Sequence, residues 1–98
     1  MSNVVFQIKY KINPEFREDY LKVAGELKAQ ISADGLIGYD IFESQKENEF
    51  CEMFIFESQE AYDNYDDSDE MISLLMDKLA SIIIEGSMEY STYNKITD

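Results

Sequence analysis

The chain has 98 residues, enough for one domain with a modest core. Asp and Glu number 21 against 8 Lys and Arg, and the net charge of −13 repels nucleic-acid backbones and anionic membrane surfaces, so neither is expected as a partner. There is no histidine, which removes the commonest general base, the usual haem ligand and nearly every zinc motif, while the single Cys51 excludes an internal disulfide.

Val4, Phe6, Ile8, Tyr10 and Ile12 alternate with Gln7, Lys9 and Lys11, the period of a strand with one apolar face. Asn13-Pro14 ends that strand and opens a helix, Asn as N-cap and Pro in the first turn. Along this helix Phe16, Tyr20, Val23, Ala24, Leu27 and Ile31 form one stripe. Gly25 interrupts it, and close packing on a sheet is the expected reason. Asp34-Gly35 stops the helix. Leu36 to Gln45 reads as a second strand, with Ile37, Tyr39 and Ile41 on one face and Gly38, Asp40 and Phe42 on the other. Lys46 to Glu49 makes a hairpin turn.

The next strand is the centre of the chain. Phe50, Phe54 and Phe56 share one face and Cys51, Met53 and Ile55 the other, so both faces are apolar and both need cover. One carboxylate, Glu52, interrupts the phenylalanine face. Among aromatic rings it would lose solvation, its pKa would rise, and it becomes a candidate proton acceptor; a hydrogen bond to Tyr62 or another tyrosine, or a position at an exposed rim, is the alternative. Ser58 then caps a short helix from Gln59 to about Asp66 that carries Tyr62 and Tyr65. Ser68, Asp69 and Glu70 start a third helix with Met71, Ile72, Leu75, Met76, Leu79, Ile82 and Ile83 on its apolar side. Gly86 stops it, and Ser87 to Thr97, with Met88, Tyr90, Thr92 and Ile96 in alternation, is a last strand.

The order strand, helix, strand, strand, helix, strand is that of a single α+β, ferredoxin-like βαββαβ domain over residues 1–98. Helices on one face of an antiparallel sheet leave Cys51, Met53 and Ile55 uncovered, and a homodimer through that sheet face is the expected cover. The acidic group Asp63, Asp66, Asp67, Asp69 and Glu70 lacks the spacing of a calcium loop, so no metal is expected. No apolar run approaches the roughly 20 residues of a membrane span, and no signal segment stands at the N-terminus; a cytoplasmic setting, which suits a reduced thiol, is the expectation.

The pattern FxxxFIFESQEAYDNYDDS, running from Phe50 to Ser68, resembles the central strand and following helix of the antibiotic biosynthesis monooxygenase superfamily, the dimeric α/β-barrel proteins. Phe56, Ser58, Glu60 and Ala61 fit it, as do Asn13-Pro14 and Tyr20 around the first helix. The resemblance implies an oxygenase without metal, flavin or other cofactor, in which a small phenolic or enolisable compound is deprotonated in a dry pocket between sheet and helices and then meets O₂. Carried over by position, Glu52 would be the base, Tyr62 a hydrogen-bond partner for the substrate oxygen, and Phe56, Tyr65 and Met76 the substrate-binding wall. The chain departs from the family in having Phe56 in place of a tryptophan, Phe54 in place of a carboxylate and Tyr65 in place of a histidine. Ile8 and Leu75 stand where haem-degrading relatives carry asparagine and histidine, which argues against haem cleavage. The second reading is a non-catalytic dimeric ligand-binding or structural protein on the same fold. A cavity of about 300 Å³ or more, with Glu52 and Tyr62 facing in, is what would separate the two.

Overall fold

The computed structural model of the chain describes residues 3–65 and 70–96. Strand β1 (Val4–Lys11) leads through a 3₁₀ turn (Pro14–Phe16) into α1 (Arg17–Gln30); β2 (Leu36–Glu43) and β3 (Glu49–Phe56) form a hairpin; α2 (Gln59–Asp63), α3 (Glu70–Ile82) and β4 (Glu89–Asn94) follow. The sheet order is β2-β3-β1-β4, with every neighbouring pair antiparallel. The α1 crossover leaves a gap between β1 and β2 that β3 fills, and the return through α2 and α3 leaves one between β3 and β4 that β1 fills. This is the expected ferredoxin-like α+β arrangement. No helix among the described residues is long and apolar enough to cross a membrane.

Burial alternates along β3 as its sequence does: Phe50, Glu52, Phe54 and Phe56 are buried, Cys51, Met53 and Ile55 half-buried. The helices cover the first set with Tyr20, Val23, Ala24 and Leu27 from α1 and Ile72, Leu75, Leu79 and Ile82 from α3. On the opposite face Phe42 is 51% and Tyr93 53% exposed.

Ser58 caps α2 as its sequence implies, its Oγ accepting from the Ala61 N–H at 3.1 Å. Asn13 behaves differently. Its side chain makes no cap; its backbone oxygen accepts from the Phe16 N–H at 3.0 Å, and the helix opens as a 3₁₀ turn. The expected Ser68 cap and the acidic residues beside it lie outside the described residues.

Gly25 is not a close-packing residue: a Cβ there would meet nothing within 4 Å. Gly35 is, with φ +81° and a would-be Cβ that collides with the Ala61 Cβ where the α1–β2 corner seats on α2. Gly35→Ala combines left-handed strain with overpacking and should cost about 2–4 kcal/mol in a denaturant melt. A loss under about 0.5 kcal/mol would mean the corner yields freely.

Two strand expectations need correction. A bulge between Leu36 and Gly38 sets Leu36 opposite Phe56, so Leu36 packs against the core and Ile37, expected beside Tyr39, is 59% exposed. The last strand is shorter than expected, and its register puts Tyr90 opposite Ile8 and Thr92 opposite Phe6 on the helix side. That side of β4 is nonetheless open: Tyr90 is 62% exposed.

Candidate functional site

Glu52 is 1% exposed, and among the described residues it is the buried charged side chain. Its cross-strand partners are Ile8 on β1 and Ile41 on β2. Two residues along the same face from each lie Tyr10 and Tyr39, the diagonal positions that a long aromatic side chain can reach. The Tyr39 hydroxyl donates to Glu52 Oε1 at 2.6 Å. Tyr10 lies on the other side and meets the Tyr20 hydroxyl of α1 at 2.8 Å. Tyr20 in turn packs on Phe50 with ring centroids 4.2 Å apart. The carboxyl group thus sits in a small polar cluster enclosed by phenylalanines.

Burial raises the Glu52 pKa, and the hydrogen bond from Tyr39, with the Tyr10 hydroxyl nearby, pulls it partly back. Burial also pushes the hydroxyls of Tyr10, Tyr20 and Tyr39 far above the ordinary tyrosine range, with the Glu52 charge adding to the effect, so all three remain protonated donors. A carboxyl whose proton affinity is raised above that of an exposed glutamate, and whose position is fixed by a short hydrogen bond, is the better proton acceptor for it.

The other sequence candidates gather at the far end of β3. Tyr62 packs on Phe6 and edge-on against Phe56, and its hydroxyl lies 3.3 Å from Thr92 Oγ1 on β4. Tyr65 packs on Phe54 and Phe56, and Met76 is partly buried against the same core. The partner of Glu52 is therefore Tyr39, not Tyr62. Phe54 links the two groups, touching Tyr39 at a centroid distance of 4.7 Å and Tyr65 at 5.9 Å. Sequence reasoning placed Tyr39 and Tyr10 on strands but missed their roles; the signal was their position two residues from the strand neighbours of Glu52.

Open clefts lie around the rim of the layers. One of about 570 Å³ runs between the α1–β2 corner and α2, one of about 480 Å³ between α1 and α3, and one of about 320 Å³ between α1 and the β2–β3 edge beside Tyr20. None of these linings contains Glu52 or Tyr62. The space beside Glu52 is filled by tyrosine and phenylalanine rings. No group of three or more His, Cys, Asp or Glu that could hold a metal ion occurs among the described residues.

At the rim, Arg17 donates to both carboxylate oxygens of Glu43, at 2.6 and 2.8 Å, and to Asn48 Oδ1 at 2.9 Å, tying α1 to the hairpin. The Arg17 guanidinium and the Asn48 N–H hold the Glu43 pKa down to about 2. A depressed carboxylate stabilises the fold above its ordinary value of 4.5 and loses that contribution as pH falls towards 2. The raised Glu52 works in reverse: its contribution is present at low pH and is lost as pH rises through its folded value. Thermal melts across pH should therefore show Glu43→Gln losing stability chiefly at the neutral end and Glu52→Gln abolishing the decline on the alkaline side. The Glu43 effect should be small and salt-sensitive, since the paired side chains are 33% and 29% exposed.

Among solved structures the chain resembles a Nitrosomonas europaea protein assigned to the antibiotic biosynthesis monooxygenases (TM-score 0.80, 12% identity, 96% of this chain and 99% of that one). It also resembles a conserved protein of unknown function from Bacteroides thetaiotaomicron (0.76, 19%, 96% and 98%). A third likeness is to a mutant form of SnoaB, a cofactor-independent oxygenase from Streptomyces nogalater (0.65, 13%, 98% and 95%). At these identities the likeness speaks for the fold. No curated protein sequence matches the chain. Residues 3–73, which run from β1 into α3 and include Glu52 with the three tyrosines around it, match the family model for antibiotic biosynthesis monooxygenases, and the chain belongs to that family.

Proposed function

We propose that the chain is a cofactor-independent monooxygenase acting on a small phenolic or enolisable compound, with Glu52 as the base. The observation that carries this reading is a carboxyl group 1% exposed, gripped by Tyr39 at 2.6 Å, on the helix side of the sheet in a chain of this family. Glu52 would take a proton from the substrate, leaving an electron-rich anion. That anion gives an electron to O₂, a C–O bond forms, and loss of water leaves the oxidised product. For an activated methylene the balance is R₂CH₂ + O₂ → R₂CO + H₂O, with all four electrons that reduce O₂ supplied by the substrate carbon. Phe50, Phe54 and Phe56 would keep water from the anion. Tyr62 with Thr92 would hold the substrate oxygen, and Phe56, Tyr65 and Met76 would flank the ring. The natural approach is along β4, where Tyr90 stacks on Phe6 and stays exposed.

Two copies joined through the open sheet face would form the working unit, in a reducing cytoplasm that keeps Cys51 a thiol. The filled space beside Glu52 favours a second reading, in which the tyrosine cluster only satisfies a buried carboxyl and the dimer binds or scaffolds without chemistry. O₂ uptake by the purified chain with a panel of phenols, quinols and anthrones, with and without added flavin, separates the two. Uptake without flavin, with a product one oxygen heavier and two hydrogens lighter from a methylene substrate, supports the enzyme. Binding without uptake across the panel supports the second reading.

A further inference from the structure

We infer that two copies of the chain meet about a two-fold axis running parallel to the strands between β1 and β3, so that Tyr93 of one copy seats in the notch left by the partner's Gly38, and the reverse. This rests on the reading above in one respect, that the open sheet face is covered by a second copy.

Pairing across the strands lays the open face out in rows. One row runs Gly38, Ile55, Val5, Tyr93 from the β2 edge to the β4 edge. The next runs Asp40, Met53, Gln7, Ser91 and the third Phe42, Cys51, Lys9, Glu89, with Glu49 opposite Lys11 beyond them. The first row has a hole at one end and a knob at the other. Gly38 carries no side chain, and a cleft of about 260 Å³ opens there between Phe42, Met53 and Ile55. A Cβ built on Gly38 would meet the Ile55 side chain at 3.4 Å, so that side chain is the inner wall of the notch. At the far end Tyr93 stands 53% exposed.

Sheets packed face to face lie about 10 Å apart, and that gap fills evenly only where small groups on one sheet meet large groups on the other. A two-fold along the strands keeps each row over itself and exchanges its ends, with β2 over the partner's β4 and β3 over the partner's β1. Gly38 then meets the partner's Tyr93 and Ile55 meets the partner's Val5, so the combined size stays nearly constant along the row. The same operation sets Glu49 over the partner's Lys11, twice by symmetry, so the charged end is complementary as well. These end charges fix orientation more than affinity. A two-fold across the strands fails on both counts. Turned about the Met53 row, it sets Asp40 on the partner's Asp40 and Lys9 on the partner's Val5; turned about a line one half-row further, it sets Ile55 on the partner's Glu49 and Val5 on the partner's Lys11. Sheet twist turns aligned sheets about 30° from one another, and a side chain as long as tyrosine spans the offset this makes at the end of a row.

The test is a pair of double variants of the full chain in a Cys51→Ala background, oxidised under mild conditions. Gly38→Cys with Tyr93→Cys should link positions 38 and 93 of different copies at least about tenfold faster than Gly38→Cys with Phe42→Cys links 38 and 42, since a disulfide needs Cα atoms within about 7 Å. Neither link can close within one chain: three strand spacings put position 38 about 14 Å from 93, and four residues of strand put it about 13 Å from 42. Mass spectrometry of the linked peptides reads which has formed. Sedimentation of unlinked variants gives a second measurement that needs no cysteine. Gly38→Leu and Tyr93→Ala should each raise the dissociation constant about tenfold or more, and together by less than the product of the two, because both act on one contact. A 38–42 link, a dimer that forms neither link, or losses that multiply overturns the axis. If Met53→Asp still dissociates such a dimer, the face stands and the axis alone falls. A wild-type chain that sediments as a monomer defeats both.

Discussion

Glu52→Gln should lower O₂ consumption with a responsive phenol or anthrone by about 10²–10⁴-fold while the chain stays folded. The two halves of this expectation have one cause. The carboxyl is on the helix side of the central strand, where it accepts from Tyr39 and lies beside Tyr10. Glutamine keeps the carbonyl that Tyr39 needs, and its amide can donate to the Tyr10 oxygen, so the cluster remains satisfied. The charged form of Glu52 is what burial penalises, so removing the charge relieves a cost and should leave the melting temperature equal or higher above the titration point. What glutamine cannot do is accept a proton. The loss should fall on kcat and kcat/KM together with KM little changed, since the substrate's binding would rest on Tyr62, Phe56, Tyr65 and Met76 rather than on Glu52. A variant that unfolds says nothing about catalysis, so the same samples are read by near-UV circular dichroism. Native spectra with unchanged turnover would remove Glu52 from the chemistry.

Much of this site was legible in the sequence, and the limits have identifiable causes. The alternation of Phe50, Phe54 and Phe56 with Cys51, Met53 and Ile55 fixed which face Glu52 shares, because the side-chain period of a strand is strict. Its tyrosine partner was harder to read. Tyr62 looked suitable because it follows soon in the chain, yet Glu52 lies four residues before the end of β3, about 13 Å at strand rise, and the five-residue α2 spans only about 8 Å. Tyr62 therefore stays over Phe56 and Phe6. Tyr39 lies far off in sequence but is diagonal in the sheet, a relation that appears only once the β2–β3 register is known. The bulge at Leu36 was hidden for a similar reason: Leu36 and Ile37 are both apolar, and only the pairing shows which one turns inward. Tyr20 over Tyr10 depends on how α1 lies across the sheet, which no spacing within either element specifies.

Met53→Asp should convert a dimer into a folded monomer, raising the dissociation constant by about 10²–10³-fold or more. On the open face, Val5 pairs with Ile55 and Tyr93, Gln7 with Met53, and Phe42 with Cys51, so an apolar patch runs across the sheet. Towards the other end the face turns charged, with Lys9 opposite Glu89 and Lys11 opposite Glu49. A patch of this kind at the centre of a two-fold contact buries Met53 from both copies, and each substituted chain would bring a carboxylate with no partner into it. In the monomer the same carboxylate meets water and costs little, apart from repulsion by Asp40, which pairs with position 53 across the strands. Met53→Lys controls for that repulsion: it sits favourably beside Asp40, yet it too should break the dimer. Two chains of charge −13 also repel each other, so the proposed dimer should tighten as salt screens them, the reverse of an assembly held by ion pairs. Cys51 supplies an independent reading from the same face: it should react slowly with a thiol reagent in the wild type and quickly in Met53→Asp. A wild-type chain that sediments as a monomer, with Cys51 already fast, would leave the patch without a second copy over it and remove the dimer from the proposed working unit.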